Sequence, residues 1–183
     1  MTILIGFFVI LILIGGLIWF TYNTLIVAKT RVDESWSGID VQLKRRADLI
    51  PNLVESVKAY AKHEKGIFEK VSEARSALMG ATSPNEKASA DNALTGALKS
   101  LFAIVENYPD LKASGNFKEL QDELSDTENK IAYSRQFYNS NVLDFNTKIK
   151  VVPTVFIANM LKFKPVDFFK AEDADKKEVK VAF

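Results

Sequence analysis

Residues 32–57 read VDESWSGIDVQLKRRADLIPNLVESV, and the spacing of the apolar side chains in that stretch decides the fold. Val32, Trp36, Ile39, Leu43, Ile50, Leu53 and Val57 recur at alternating steps of four and three, with Arg46 standing where the same rhythm asks for an apolar residue. A mean step between three and four is the seam of an α-helix packed lengthwise against others. The series continues through Tyr60, Ile67, Val71, Ala74 and Leu78, interrupted again only at Glu64. Leu94, Leu98, Leu101, Val105 and Tyr108 make a second stripe. Phe117, Leu120, Leu124, Thr127, Ile131, Ser134, Tyr138, Asn141 and Phe145 make a third. No stretch before residue 150 alternates with the period of a strand. The expected fold is all-α: an N-terminal transmembrane helix (1–28) followed by a bundle of long antiparallel helices (29–170). Its helices are expected at about 29–79, 84–108 and 116–149, with a short one at about 153–163.

The punctuation agrees with the stripes. Gly80 follows the first as a C-terminal cap. Ser83-Pro84-Asn85-Glu86 combines an N-cap serine, a proline at the first helical position and a glutamate at the third. Tyr108-Pro109 breaks the second helix, and Gly115-Asn116 with Glu119 opens the third. Pro51 is the exception, since inside a helix it loses a hydrogen bond and clashes with the preceding turn, at about 3 kcal/mol. Two readings follow. Asp48 as a cap would start a new helix and reverse the chain, whereas a single long helix would kink near Pro51. The stretch Lys44–Asp48 holds no Gly or Asn for a reversal, and the stripe crosses Pro51 in phase, so the kinked helix is expected. Its seam at Val32, Trp36, Ile39 and Leu43 would then require a partner, from self-association or from the C-terminal segment.

Upstream, no charged side chain occurs from Met1 to Ala28, and Ile3–Phe20 is apolar throughout. About 20 apolar residues cross a bilayer core, and only a helix can carry a lone segment of backbone through lipid. Trp19 and Tyr22 stand where interfacial aromatics belong. A cleaved signal peptide would have a basic start, a shorter apolar run and small residues at the cleavage site, none of which is present. Residues 3–22 are therefore expected to meet the lipid bilayer. Lys29, Arg31, Lys44, Arg45 and Arg46 follow the span and no basic residue precedes it. The positive-inside rule then puts the N-terminus outside and the helical domain in the cytoplasm.

Composition excludes several chemistries. The chain has 183 residues, a net charge of +1 and no cysteine. The balanced charge argues against nucleic acid as a partner, and the missing thiols exclude disulfides, thiolate metal sites and cysteine nucleophiles. His63 is the single histidine. A zinc-protease pattern would need a second histidine at position 67, which is Ile, and a di-iron bundle would need Glu-x-x-His pairs on two helices. No phosphate loop or nucleophile elbow appears. The expectation is a non-enzyme without cofactor or metal.

Polar residues on or beside the stripes carry what functional signal there is: Arg45, Arg46, Asp48, Asn52, Glu128, Asn129, Arg135, Asn139 and Asn146. An inward Arg46 requires a carboxylate such as Glu128. These residues form either a register-fixing network within the bundle or a polar groove near Arg46 and Glu128 that captures a peptide, small ligand or partner helix. Val151–Phe169 is rich in bulky apolar residues with Lys162 and Lys164 among them. It is expected to pack on the bundle, the alternative being a basic amphipathic element in a membrane interface. The charged tail 171–183 is expected to be mobile.

Residues 29–75 resemble the LemA family of bacterial membrane proteins. The resemblance rests on Arg31–Trp36, on Ile39–Val54 with its run Arg45-Arg46-Ala47-Asp48-Leu49-Ile50-Pro51-Asn52, on Val57–Glu64 and on Ala74-Arg75. It continues in Tyr108–Ala113, Thr127–Ala132, Tyr138-Asn139 and Asn146. It implies a bacterial inner-membrane location, a short outward N-terminus, one membrane helix and a long-helix bundle, with no reaction and no catalytic residue. One branch of the family is a magnetosome-membrane protein, which implies a role in organising membranes or membrane proteins. The expected function is a membrane-anchored scaffold or adaptor, self-associating or serving another membrane protein.

Overall fold

The computed structural model describes residues 1–169. Those residues form six helices in the order α1 (Thr2–Lys58), α2 (Lys65–Gly80), α3 (Pro84–Val105), α4 (Pro109–Ala113), α5 (Gly115–Lys148) and α6 (Thr154–Met160). The fold is all-α, a long apolar N-terminal helix running into a helical bundle. The tail 171–183 lies outside the described residues.

α1 is a single helix of 57 residues, about 85 Å long at 1.5 Å per residue. Its opening stretch, Thr2 to Phe20, is exposed on every side. From Thr21 onward one face is covered, at Thr21, Leu25, Ala28, Val32, Ser35, Ile39, Leu43, Arg46, Ile50, Leu53 and Val57. The seam at Val32, Ile39 and Leu43 is thus filled by the protein's own chain, not left open for a second copy.

Pro51 lies inside α1 without ending it. Proline has no N–H to give the carbonyl four residues back, which here belongs to the fully buried Ala47. Arg75 of α2 supplies the missing donor: its Nε–H donates to the Ala47 carbonyl at 2.7 Å.

The chain reverses earlier than the stripe suggested. A continuous helix over 29–79 is not formed; α1 ends at Lys58, and Ala59–Glu64 make the turn into α2. The Val57 carbonyl accepts from the N–H groups of both Tyr60 and Ala61, at 3.0 and 2.9 Å. Reversal buries Phe68, Val71, Ala74 and Leu78. Each such side chain contributes about 1.5–3 kcal/mol on leaving water, except the smaller alanine. A lost helical hydrogen bond costs only about 1 kcal/mol. The packed hairpin therefore wins over the extended helix, and the Lys58 ammonium lies 5.9 Å from the Phe68 ring centre across it.

Two units are distinguished within the chain. One comprises Gly38–Arg135 with Phe168 and Phe169. Here the end of α1, α2, α3 and the start of α5 alternate in direction, with Phe102 and Phe117 in edge contact, centroids 6.3 Å apart, near the α3–α5 connection. α3 opens with a complete capping box: the Glu86 N–H donates to Ser83 Oγ, and the Ser83 N–H to the Glu86 carboxylate. The short α4, not anticipated from the sequence, starts at Pro109 and buries Leu111.

The other unit comprises Met1–Ser37 and Gln136–Asp167. Trp36 packs on Tyr138 at 5.6 Å between ring centres, and Val142, Phe145 and Ile149 continue the buried face of α5. α6 ends in a Schellman motif, with the Lys162 N–H on the Asn159 carbonyl and the Phe163 N–H on the Ala158 carbonyl. The left-handed residue such a motif requires is Lys162, at φ 56°.

Candidate functional site

The Gly38–Arg135 unit holds a charged group in its apolar interior. Arg46 falls on the seam of α1, so helix periodicity alone turns its side chain inward, where only 4% of it remains exposed. Asp91 falls one step before Leu94 on the seam of α3 and is likewise buried. The guanidinium donates from Nη1 to Asp91 Oδ1 at 2.7 Å and from Nη2 to Thr95 Oγ1 at 3.0 Å. Thr95 passes its own proton back to the Asp91 carbonyl at 3.0 Å. The Arg46 Nε has no protein partner.

Burial pushes the Asp91 carboxyl above the usual carboxylate range; Arg46 and, more weakly, Arg135 pull it down, while Glu128 adds to the rise. The desolvation of the carboxylate outweighs the attraction of its partner, as expected for an ion pair removed from water.

Beside this pair lies a shallow groove of about 210 Å³, lined by Arg46, Thr95, Lys99, Gln121, Ser125 and Glu128 among others. The carboxylate that meets Arg46 is Asp91. Glu128, the expected partner, is exposed and stands on the groove wall. The reason lies in register: Glu128 sits one position past the buried Thr127 of α5, off the seam.

The remaining candidates are dispersed. Arg45, adjacent to Arg46 but turned outward, pairs with Glu123 at 2.5 Å, both about half exposed. Asp48 and Asn52 are exposed on α1, as is Asn129 on α5. The Arg135 guanidinium lies over the Phe169 ring at 4.9 Å. In the other unit Asn139 is half-buried, and Asn146 clasps the backbone of Val166, donating to its carbonyl at 2.8 Å and accepting from its N–H at 2.9 Å. Tyr138 donates its hydroxyl proton to the Asp167 carbonyl at 2.9 Å. Burial, with Asp167 and Asp33 nearby, pushes that phenol up to about 12.

Sequence reasoning passed over Asp91, Thr95 and Arg75. Asp91 had a signal, because an aspartate in phase with Leu94, Leu98 and Leu101 is the natural complement of an arginine on the facing seam. Arg75 had none, since its role depends on a carbonyl that only the folded hairpin brings close. His63 is exposed in the α1–α2 turn. Among the described residues no group of three or more acidic or histidine side chains could hold a metal.

The arrangement defines an all-helical protein with one candidate membrane span and a paired, buried polar centre. The sequence profile of the LemA family matches residues 35–183. The chain is 30% identical to Protein LemA of Metamycoplasma hominis, over 94% of this chain and 81% of that one. It belongs to the LemA family. It is also 27% identical to the Magnetosome protein MamQ of Magnetospirillum gryphiswaldense and 25% identical to the Magnetosome protein MamQ 2 of Paramagnetospirillum magneticum. In both cases the match spans 84% of this chain and 66% of the relative's length.

Proposed function

We propose that this protein is a membrane-anchored helical scaffold or adaptor that organises other membrane proteins and performs no catalysis. The supporting observation is α1. A helix whose opening run from Ile3 to Phe20 is apolar, chargeless and uncovered continues without a linker into a packed helical domain. Residues 3–22 meet the lipid, the N-terminus is outside, and the lysines and arginines that follow the span hold the domain in the cytoplasm. Similarity to proteins named for the magnetosome supports a role at membranes. The buried polar centre fixes helix register, and partner contacts use side chains that remain outward and apolar, such as Val41, Phe137 and Leu143.

A photo-crosslinking residue placed in cells at Val41, Phe137 or Leu143 tests this. The expected result is a discrete adduct with a membrane protein or a second copy. A monomer in mild detergent with no adduct from any of the three positions contradicts the reading.

A second reading, a peptide- or small-ligand-binding regulator, is favoured by the groove whose wall includes Arg46 with its unpartnered Nε. Replacing both members of the buried pair, Arg46→Leu with Asp91→Leu, separates the two, since such swaps are often neutral for stability. The scaffold keeps its adducts, whereas a groove-binding regulator loses its partner with its fold intact.

A further inference from the structure

α6 and its flanks follow the C-terminal end of α5, which points toward the uncovered apolar segment of α1. Trp36 packs on Tyr138, and Arg45, farther on in α1, pairs with Glu123, farther back in α5, so the two helices run antiparallel and each step back along α1 is a step forward along α5. From that contact, Val32 lies level with Val142, and the end of α5 at Lys148 with Ile26, six residues past the uncovered segment of α1. Leu25, Val32, Val142 and Ile149 are buried. Thr21 is the first covered residue of α1. After α6 the chain climbs back: Phe163 stacks edge-on against Phe145, Val166 is clasped by Asn146, and the Asp167 carbonyl meets Tyr138. Both chain ends of α6 therefore lead back along α5, and α6 forms the tip of the α5 arm on that side.

The tip is two-faced. Thr154 and Ala158, one turn apart, are buried against the unit. Phe156 and Met160, also one turn apart, are 67% and 65% exposed, and Val152 beside them is 74% exposed. Lys150, Lys162 and Lys164 flank these residues, all exposed, and no carboxylate occurs between Phe145 and Val166. Bulky apolar side chains in water at the end of a domain call for an occupant.

We infer that α6 with its flanking lysines rests in the headgroup layer of the same bilayer that α1 enters, as a second and peripheral membrane contact selective for anionic lipid. The occupant is assigned by continuity with the uncovered span of α1 and by charge. An apolar face seats about 5–10 Å into the headgroup boundary while lysines meet anionic lipid beside it. Val152, Phe156 and Met160 enter the layer, and the long lysine side chains reach phosphate. This inference rests on the anchoring role proposed for α1.

The test uses the full chain with single cysteines at Phe8, Phe137 and Met160, each carrying an environment-sensitive fluorophore. The protein is reconstituted in phosphatidylcholine vesicles containing a minority of phosphatidylglycerol. A shallow spin-labelled lipid is expected to quench the probes at Phe8 and Met160 strongly and leave the probe at Phe137, farther along α5, unquenched. Replacing Lys150, Lys162 and Lys164 by Gln is expected to reduce quenching at Met160 several-fold in these vesicles and to change nothing in pure phosphatidylcholine. A quenched Phe8 with an unquenched Met160 overturns the inference alone. Loss of quenching at both overturns the anchor as well. An unchanged signal in the lysine variant overturns the selectivity for anionic lipid.

Discussion

Pro51 and the turn at Ala59–Glu64 lie close together in the chain, yet the helix runs through the first and stops at the second. The strongest helix breaker among the residues does not break the helix. The stretch Ala59-Tyr60-Ala61-Lys62-His63-Glu64, with neither Gly nor Pro, does. What differs is the partner each site finds. At Pro51 the orphaned Ala47 carbonyl receives the Arg75 Nε–H from α2. At Lys58 nothing is gained by continuing, because a longer helix would leave Phe68, Val71 and Leu78 outside the core that reversal gives them. Helix continuity here is a tertiary property, decided by which polar groups are completed and which apolar faces are covered.

The rule is harshest for a full charge, so its sharpest test is Arg46. Asp91→Ala leaves a guanidinium buried without its counter-ion and is expected to cost about 3–5 kcal/mol in chemical unfolding followed by circular dichroism. Arg45→Ala next door, where the pair with Glu123 is exposed, is expected to cost no more than about 1 kcal/mol. Equal losses at the two positions would break the argument.

A smaller effect is expected at the proline itself. Arg75→Ala strands the Ala47 carbonyl and should cost about 1–3 kcal/mol. Pro51→Ala restores an N–H within hydrogen-bond reach of that carbonyl, so the loss from Arg75→Ala should shrink in the Pro51→Ala background. A double-mutant cycle with coupling of about 1 kcal/mol supports the compensation, and strict additivity refutes it.

The smallest effect concerns a helix end completed locally, without tertiary help. Hydrogen bonds from the backbone of Ser83 first, then Thr82, hold the Glu86 carboxyl down to about 2. Because the folded value lies below the unfolded one, this contribution is complete above the ordinary glutamate range and is lost as pH falls through it toward 2. Glu86→Gln is expected to flatten the acid limb of the stability profile in that window. An unaltered limb would place its cause elsewhere.

The heptad-like spacing made the helical class and the inward position of Arg46 legible in the sequence, and the run Ser83-Pro84-Asn85-Glu86 did the same for the capping box. These depend on local geometry, which a sequence carries directly. The turn at Ala59–Glu64 was invisible because Val57, Ile67, Val71 and Ala74 keep phase across it, and phase records which face is apolar, not whether the axis reverses. The Arg46–Asp91 pairing was half legible. Both residues sit on seams, but choosing Asp91 over Glu128 needs the relative rotation of α3 and α5. Residues 151–169 divided between two expectations because their apolar residues suit a core and a membrane interface alike; Thr154, Ala158 and Phe169 are buried, while Phe156 and Met160 face outward.

The central claim is that α1 crosses a bilayer and mounts the helical domain on its cytoplasmic side. Single cysteines at Thr2 and at the exposed Asn107, each in the otherwise cysteine-free chain, can be labelled in intact cells with a membrane-impermeant maleimide. The account predicts labelling at 2 and protection at 107 until the membrane is permeabilised. Labelling of both positions in intact cells, or of 107 alone, would contradict it.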